Sequence, residues 1–169
     1  MTINSALYDW ASSQISSPVI FRDQDGPQPN GAYVTIKAIA QLREGQAELF
    51  HPDANGIIEI KQGLLITCSV QSFGSDLFGD MMTLRDSLNK FTVQSALRES
   101  GICFVRVVSE PQDVPAITGT TFEARATMDV IFRADTLTTD DVGLIESARF
   151  TGTADGLSVT KTVTQGGIA

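Results

Sequence analysis

The chain is poor in the residues that most enzyme and metal sites need. It holds one histidine and two cysteines in 169 residues. With His51 alone and with Cys68 and Cys103 far apart, no zinc ligand set can be assembled. His51 stands in a polar turn beside Pro52, where a surface residue is the simpler reading than a general base, which needs a pocket and an orienting partner. No Gly-x-Ser-x-Gly elbow, Gly-Lys-Ser/Thr phosphate loop or dinucleotide fingerprint occurs. The chain is read as a non-enzyme that uses no cofactor and no metal. Basic residues are also scarce, 12 Lys and Arg against 20 Asp and Glu for a net charge of −8, which argues against a broad DNA-gripping face. Long apolar runs are missing. Stretches such as Gly63-Leu64-Leu65-Ile66 and Ile102-Cys103-Phe104-Val105 are strand-sized, well short of the ~20 residues a membrane span needs. The start, Met1-Thr2-Ile3-Asn4-Ser5, has no basic region and apolar block of the signal-peptide kind. Both cysteines lie in apolar strand-like segments, so reduced, buried thiols and synthesis in the cytosol are expected.

What is present is patterning. Hydrophobic residues make up 42% of the chain and charged residues 19%, enough for a packed core and unlike a disordered acidic chain. Ile3, Leu7, Trp10, Ala11 and Ile15 share a helical face, with Thr2 or Asn4 as cap and Ser17-Pro18 as terminator. Val19-Ile20-Phe21 is extended and runs into a Gly, Pro, Asp and Asn-rich loop. Over 33–43, Val34, Ile36, Ala38, Ala40 and Leu42 alternate with polar residues as in a half-buried strand. A polar excursion from Glu44 to Pro52 leads to Asp53-Ala54-Asn55-Gly56, where Asn-Gly predicts a hairpin turn with positive φ at both residues. Leu64, Ile66, Cys68 and Val70 form the inward set of the returning strand. Ser75 is the predicted cap of a helix striped with Leu77, Phe78, Met81, Met82, Leu84 and Leu88, and Thr92 the cap of a second helix closed by Gly101. A strand apolar on both faces, 102–109, precedes a strand in which Phe122, Ala124, Ala126, Met128, Val130 and Phe132 alternate with polar residues. From Thr151 onward large apolar residues are few, and no separate core is expected.

These elements predict an α+β fold: an antiparallel or mixed β-sheet packed on one face by helices, with a long projecting β-hairpin and a C-terminal arm. Residues 1–150 are read as the domain and 151–169 as the arm, extended or partly disordered. Asp23-Gln24-Asp25-Gly26 begins like a calcium loop, but its glycine comes too early and no closing glutamate follows, so turn-forming carboxylates are the better reading. Asp140-Asp141 before Val142-Gly143 reads as a turn cap ahead of a catalytic carboxylate pair. Met81-Met82 reads as core ahead of an adaptable binding face.

The order and spacing of several motifs then resemble a known family. Trp10, Pro18-Val19-Ile20-Phe21, Asp23-Gln24-Asp25, Pro27, Pro29, Tyr33-Val34-Thr35-Ile36, Leu84-Arg85-Asp86-Ser87-Leu88 and the segment Thr138 to Glu146 look like phage neck or tail-terminator proteins. The resemblance spans residues 8 to about 148, and the stretch from Phe150 to Ala169 goes beyond it. It implies a structural virion protein, assembled in the bacterial cytoplasm, that forms a ring, usually hexameric, on the head-proximal end of the tail tube. Such a ring halts tube polymerisation and joins tail to head, with the tube protein and the head–tail connector proteins as partners. DNA passes through its lumen without specific binding, and no membrane is involved. Glu44, Glu48, Asp53 and Glu59 are candidate lumen-facing carboxylates, the alternative being a simply solvated hairpin tip. Tyr8, Trp10, Asp23, Asp25, Leu157, Val159 and Val163 are candidate subunit or partner contacts. A small monomeric or dimeric adaptor or assembly chaperone is the competing reading. A hydrolase using Asp23, Asp25 or Asp140 is a third.

Overall fold

A computed structural model describes residues 2–164 apart from 25, 28, 75, 119–120 and 145–146. The elements in chain order are α1 (Ile3–Gln14), β1 (Val19–Phe21), β2 (Tyr33–Leu49), β3 (Ile57–Phe73), α2 (Leu77–Ser87), α3 (Phe91–Glu99), β4 (Ile102–Asp113), β5 (Ala116–Thr118), β6 (Thr121–Glu123), β7 (Arg125–Asp141), β8 (Ser147–Ala154) and β9 (Leu157–Thr164). Five strands form one sheet in the order β1-β2-β3-β7-β4, while β5-β6 and β8-β9 are two-stranded ribbons. β1 pairs with β2 in parallel and β4 with β7 antiparallel, so the sheet is mixed and the fold is α+β. By contacts the chain divides into two compact units, residues 1–47 with 62–136 and residues 48–61 with 137–169.

The first unit is built around the predicted helical face and strands. Thr2 caps α1 through a capping box with Ser5, its hydroxyl accepting from the Ser5 N–H at 3.2 Å. The helix ends at Gln14, ahead of the Ser17-Pro18 break. It buries Ala6, Leu7, Trp10 and Ala11. Ile66, Cys68 and Val70 of β3 and Ala126, Met128, Val130 and Phe132 of β7 supply the sheet side of the core, and Met81, Leu84 and Leu88 the helix side. The indole of Trp10 donates to Ser87 Oγ at 3.0 Å and meets Phe132 edge-on, with ring centroids 5.5 Å apart. Ser87 in turn donates to the Leu84 carbonyl at 2.6 Å.

Several expectations are corrected. The helix-facing set of β2 holds for Val34 and Ile36, but Ala40 and Leu42 are exposed. A 12-residue helix covers ~18 Å, whereas a 17-residue strand runs ~57 Å, so burial stops before the strand does. The polar excursion after Glu44 is still strand to Leu49, since hydrogen bonding to a neighbour sustains a strand whose side chains are solvated. Asp76 caps α2, accepting from the Gly79 N–H at 3.1 Å, and Ser75 lies outside the described residues. A Cβ on Gly79 would fall 2.2 Å from that cap carboxylate, which explains a glycine inside the helix. Lys90, not Thr92, occupies the cap position of α3, because the three-residue link from α2 places Phe91 first in the helix. Met81 is core as expected, whereas Phe78 and Met82, one turn apart on a neighbouring face of the same helix, are exposed. On β7 the buried alternation continues through Ala134, while Ala124 precedes the strand and is exposed; the Phe122 side chain is outside the described residues. Cys68 is buried, but Cys103 is exposed. It sits on β4, an edge strand, and alternation from buried Ile102 turns it away from the core.

In the second unit the turn at Asn55-Gly56 differs from the predicted mirror-image type. Gly56 has φ +79, but Asn55 does not have positive φ. Asp53 C=O accepts from the Gly56 N–H at 3.0 Å, so the four residues make a common turn followed by a left-handed glycine. A Cβ on Gly56 would lie 2.6 Å from the Gly143 backbone, so both conformation and space require glycine there. The segment expected as an arm from 151 begins inside β8. Its Asp155-Gly156 pair has φ +48 and +79 and joins β8 to β9 in a two-residue hairpin.

Two outcomes follow. Ser87→Ala leaves the buried Trp10 N–H unpaired and lowers stability by about 1–3 kcal/mol, read from the urea midpoint; an unchanged midpoint refutes this account of the core. Burial pushes the Cys68 thiol up to about 12, so a thiol reagent labels Cys103 alone in the native protein and Cys68 only on unfolding. Equal native labelling of both contradicts the packing described.

Candidate functional site

The conspicuous motifs turn out to position the chain itself. Leu84 and Leu88 are buried, Ser87 holds Trp10, and Arg85 reaches Glu110 of β4 at 3.0 Å and Asp86 at 2.7 Å. That one pentapeptide therefore bonds α2 to α1 and β4. Tyr33-Val34-Thr35-Ile36 is buried on both faces of β2, and Tyr33 stacks on Phe73 with centroids 4.7 Å apart. The Pro18 carbonyl accepts from the Val34 N–H at 2.8 Å, and Arg22 N–H donates to Ile36 O at 3.0 Å, which sets the parallel register of β1.

Among the proposed partner contacts, Trp10 is 4% exposed and belongs to the core, because its ring is the piece that fills the space between α1, α2 and β7. Tyr8 is at the surface and lies beside Phe21, with centroids 5.6 Å apart. Asp23 has φ +64 and forms an ion pair with Lys37 and a longer one, 4.0 Å, with Arg22. The Lys37 hydrogen bond holds its carboxyl below the usual range, so Asp23 locks the exit of β1 onto β2. Asp25 lies outside the described residues. Leu157 and Val159 are exposed on β9, and the side chain of Val163 lies outside the described residues.

The four carboxylates proposed for a lumen differ in setting. Glu44 is ion-paired with Arg133 Nε at 3.1 Å. Glu48 and Glu59 are exposed and make no ion pair among the described residues. Asp53 is a turn residue whose Oδ1 accepts from the N–H groups of Ile57 at 2.9 Å and Asn55 at 2.8 Å. These two bonds, Ile57 first, hold its carboxyl below the ordinary aspartate value. Asp141 likewise accepts from the Gly143 N–H at 3.1 Å, the turn-capping role, while Val142 N–H donates to Gly56 O at 3.0 Å. His51 is exposed in the connection between β2 and β3. Among the described residues no group of three or more His, Cys, Asp and Glu side chains could hold a metal ion, and no helix is long and apolar enough to cross a membrane.

A concave surface lies between α1 and α3, with a volume of about 320 Å³, lined by Trp10, Val93, Ala96 and Leu97 with Asp9 and Gln14. It carries no cluster of reactive groups, and the polar residues singled out above serve turns, caps and strand register. Apolar side chains meanwhile stand in water, Phe91 at 80% exposure and Phe150, Leu157 and Val159 on the β8-β9 ribbon among them.

A family model described as "Phage neck terminator protein" matches residues 1–156. The chain belongs to the phage neck terminator family. The match covers all three helices, the whole five-stranded sheet and the first strand of the β8-β9 ribbon, and it stops at the Asp155-Gly156 turn. A search of curated proteins found no match. As a member of this family the protein has a structural role in the phage tail or neck, with tail and head components as its partners. Leu157 and Val159 of the terminal ribbon were singled out from the sequence of this neck terminator, but the pairing of β8 with β9 that holds them was not. Asp155-Gly156 between two alternating stretches is a hairpin signal that was there to be read.

The Asp53 turn has a pH signature. Its folded-state pKa is depressed, so the bonds to Asn55 and Ile57 are at full strength above the unfolded value near 3.8 and fade as pH falls through the lower folded value. The Ile57 amide resonance is expected to titrate with a midpoint below 3.8, and Asp53→Ala to abolish that titration; a midpoint at or above 3.8 counts against the turn geometry.

Proposed function

We propose that the protein closes a ring, most simply a hexamer, on the head-proximal end of the phage tail tube, stops tube growth and presents a surface to which the head joins. The family match across residues 1–156 carries this reading. The physical chemistry agrees with it. Asp23, Asp53, Asp76 and Asp141 are spent on holding the fold, and the exposed surface is what this reading uses. Rings of identical subunits need side surfaces that meet head to tail, and exposed apolar side chains on strands and ribbon offer such surfaces.

The acidity supports passage of DNA through the ring. Carboxylates facing a channel repel phosphates and let the duplex slide, whereas arginines would bind it in a salt-dependent way. Glu48 and Glu59 are the strongest contributors to such a lumen, since they carry unpaired charge among the described residues. Glu44 adds less, because Arg133 offsets it, and Asp53 is also committed to its turn. In this reading the protein performs no chemistry. It is made in the host cytoplasm and ends in the neck of the virion.

Phage lacking this chain should accumulate over-long tails without heads, seen by electron microscopy of the lysate. Complementation with the wild-type chain should restore uniform, headed particles. Normal virions in its absence would sink the proposal.

A further inference from the structure

The β8-β9 ribbon is amphipathic across its two faces. The register sets Phe150 opposite Lys161, Thr151 opposite Thr160, Gly152 opposite Val159 and Thr153 opposite Ser158. Residues directly opposite share a face, and neighbours along a strand alternate. One face therefore carries Phe150, Gly152, Leu157, Val159 and Lys161, and the other carries Thr151, Thr153, Ser158, Thr160 and Thr162. The Thr151 and Thr160 hydroxyls, 3.2 Å apart, mark the polar face. On the apolar face Phe150 is 63%, Leu157 75% and Val159 69% exposed. Among the described residues the ribbon belongs to no larger sheet, and a two-stranded hairpin alone is marginal in water. Its apolar face is built to be covered.

Charge says by what. Residues 147–164 contain Arg149, Lys161 and Asp155, a net +1, whereas the whole chain is −8, so the rest of it carries −9. The ribbon is thus net basic in an acidic chain, and Lys161 lies within its apolar face. DNA is a poor fit to one lysine on a face of Phe, Leu and Val, with Arg149 on the opposite face across from Thr162, because phosphate binding needs clustered Lys and Arg. A second copy of this chain supplies both apolar surface and excess carboxylate.

We propose that the apolar face of the β8-β9 ribbon docks on a second copy of this chain, with Lys161 meeting a carboxylate of that copy, and so forms a subunit contact of the ring. The inference rests on the ring reading above. It assigns a role to β9, which lies beyond the family match.

The test uses the full chain, with its mass followed by light scattering over a range of concentrations and salt, alone and on purified tail tubes. Val159→Asp and Lys161→Glu are expected to weaken self-association by at least about tenfold, and Thr160→Asp, the same new residue on the polar face, to leave it unchanged. High salt should weaken the wild type and not Lys161→Glu. Circular dichroism melts establish that each variant is folded; Lys161→Glu, an exposed change, keeps the test valid if Val159→Asp is not. If the wild type forms rings and Lys161→Glu forms them equally well, the ribbon proposal fails and the ring reading stands. If the wild type stays monomeric both in solution and on tubes, the ring reading fails and this contact with it.

Discussion

The seating of Trp10 between Ser87 and Phe132 is the constraint on which the first unit depends. One side chain joins three elements: it leaves α1, hydrogen-bonds α2 and packs edge-on against β7. The buried indole N–H must find an acceptor, and the acceptor it finds is fixed by its own bond to the Leu84 carbonyl. The next residue after that carbonyl, Arg85, ties the same turn to Glu110 on β4. Helix, sheet and motif are thus linked through a few atoms, and a shift in any of them strands a polar group in the core.

That arrangement shows the recognisable residues of this neck terminator holding its fold. Asp23 is spent on Lys37, Asp53 on the 53–57 turn, Asp76 on a helix cap and Asp141 on another turn. Each carboxylate answers a local backbone or charge requirement. What is left over is chemically plain: exposed apolar side chains and a surplus of negative charge, which suit a part that is assembled between other parts.

Most of the first unit was legible because burial on one face writes a period into the sequence. The alternation of β7 from Ala126 and the stripe Leu7-Trp10-Ala11 could be read directly. The errors gather where burial stops writing the pattern. β2 beyond Ala38 is held by hydrogen bonding along the sheet, so the alternation that continues through Ala40 and Leu42 does not report burial. Cys103 looked like core because it lies among apolar neighbours, but an edge strand leaves one of its faces in water. The α3 cap was misplaced because Thr92 has the right chemistry, while the length of the link from α2 had already fixed the helix start at Phe91.

The sequence by itself determined the class of fold, the helix ends marked by Thr2 and Pro18, and an acidic composition with one histidine and two cysteines. These are local or additive properties, carried by spacing, capping chemistry and charge. Tertiary structure alone decided that Trp10 meets Ser87 and Phe132, that Gly56 has no room for a Cβ beside Gly143, and that residues 147–164 fold on themselves into a ribbon with an apolar and a threonine-rich face. Those facts depend on which backbone atoms come together across long separations and in which register. A one-residue slip in that register would exchange the two faces of the ribbon.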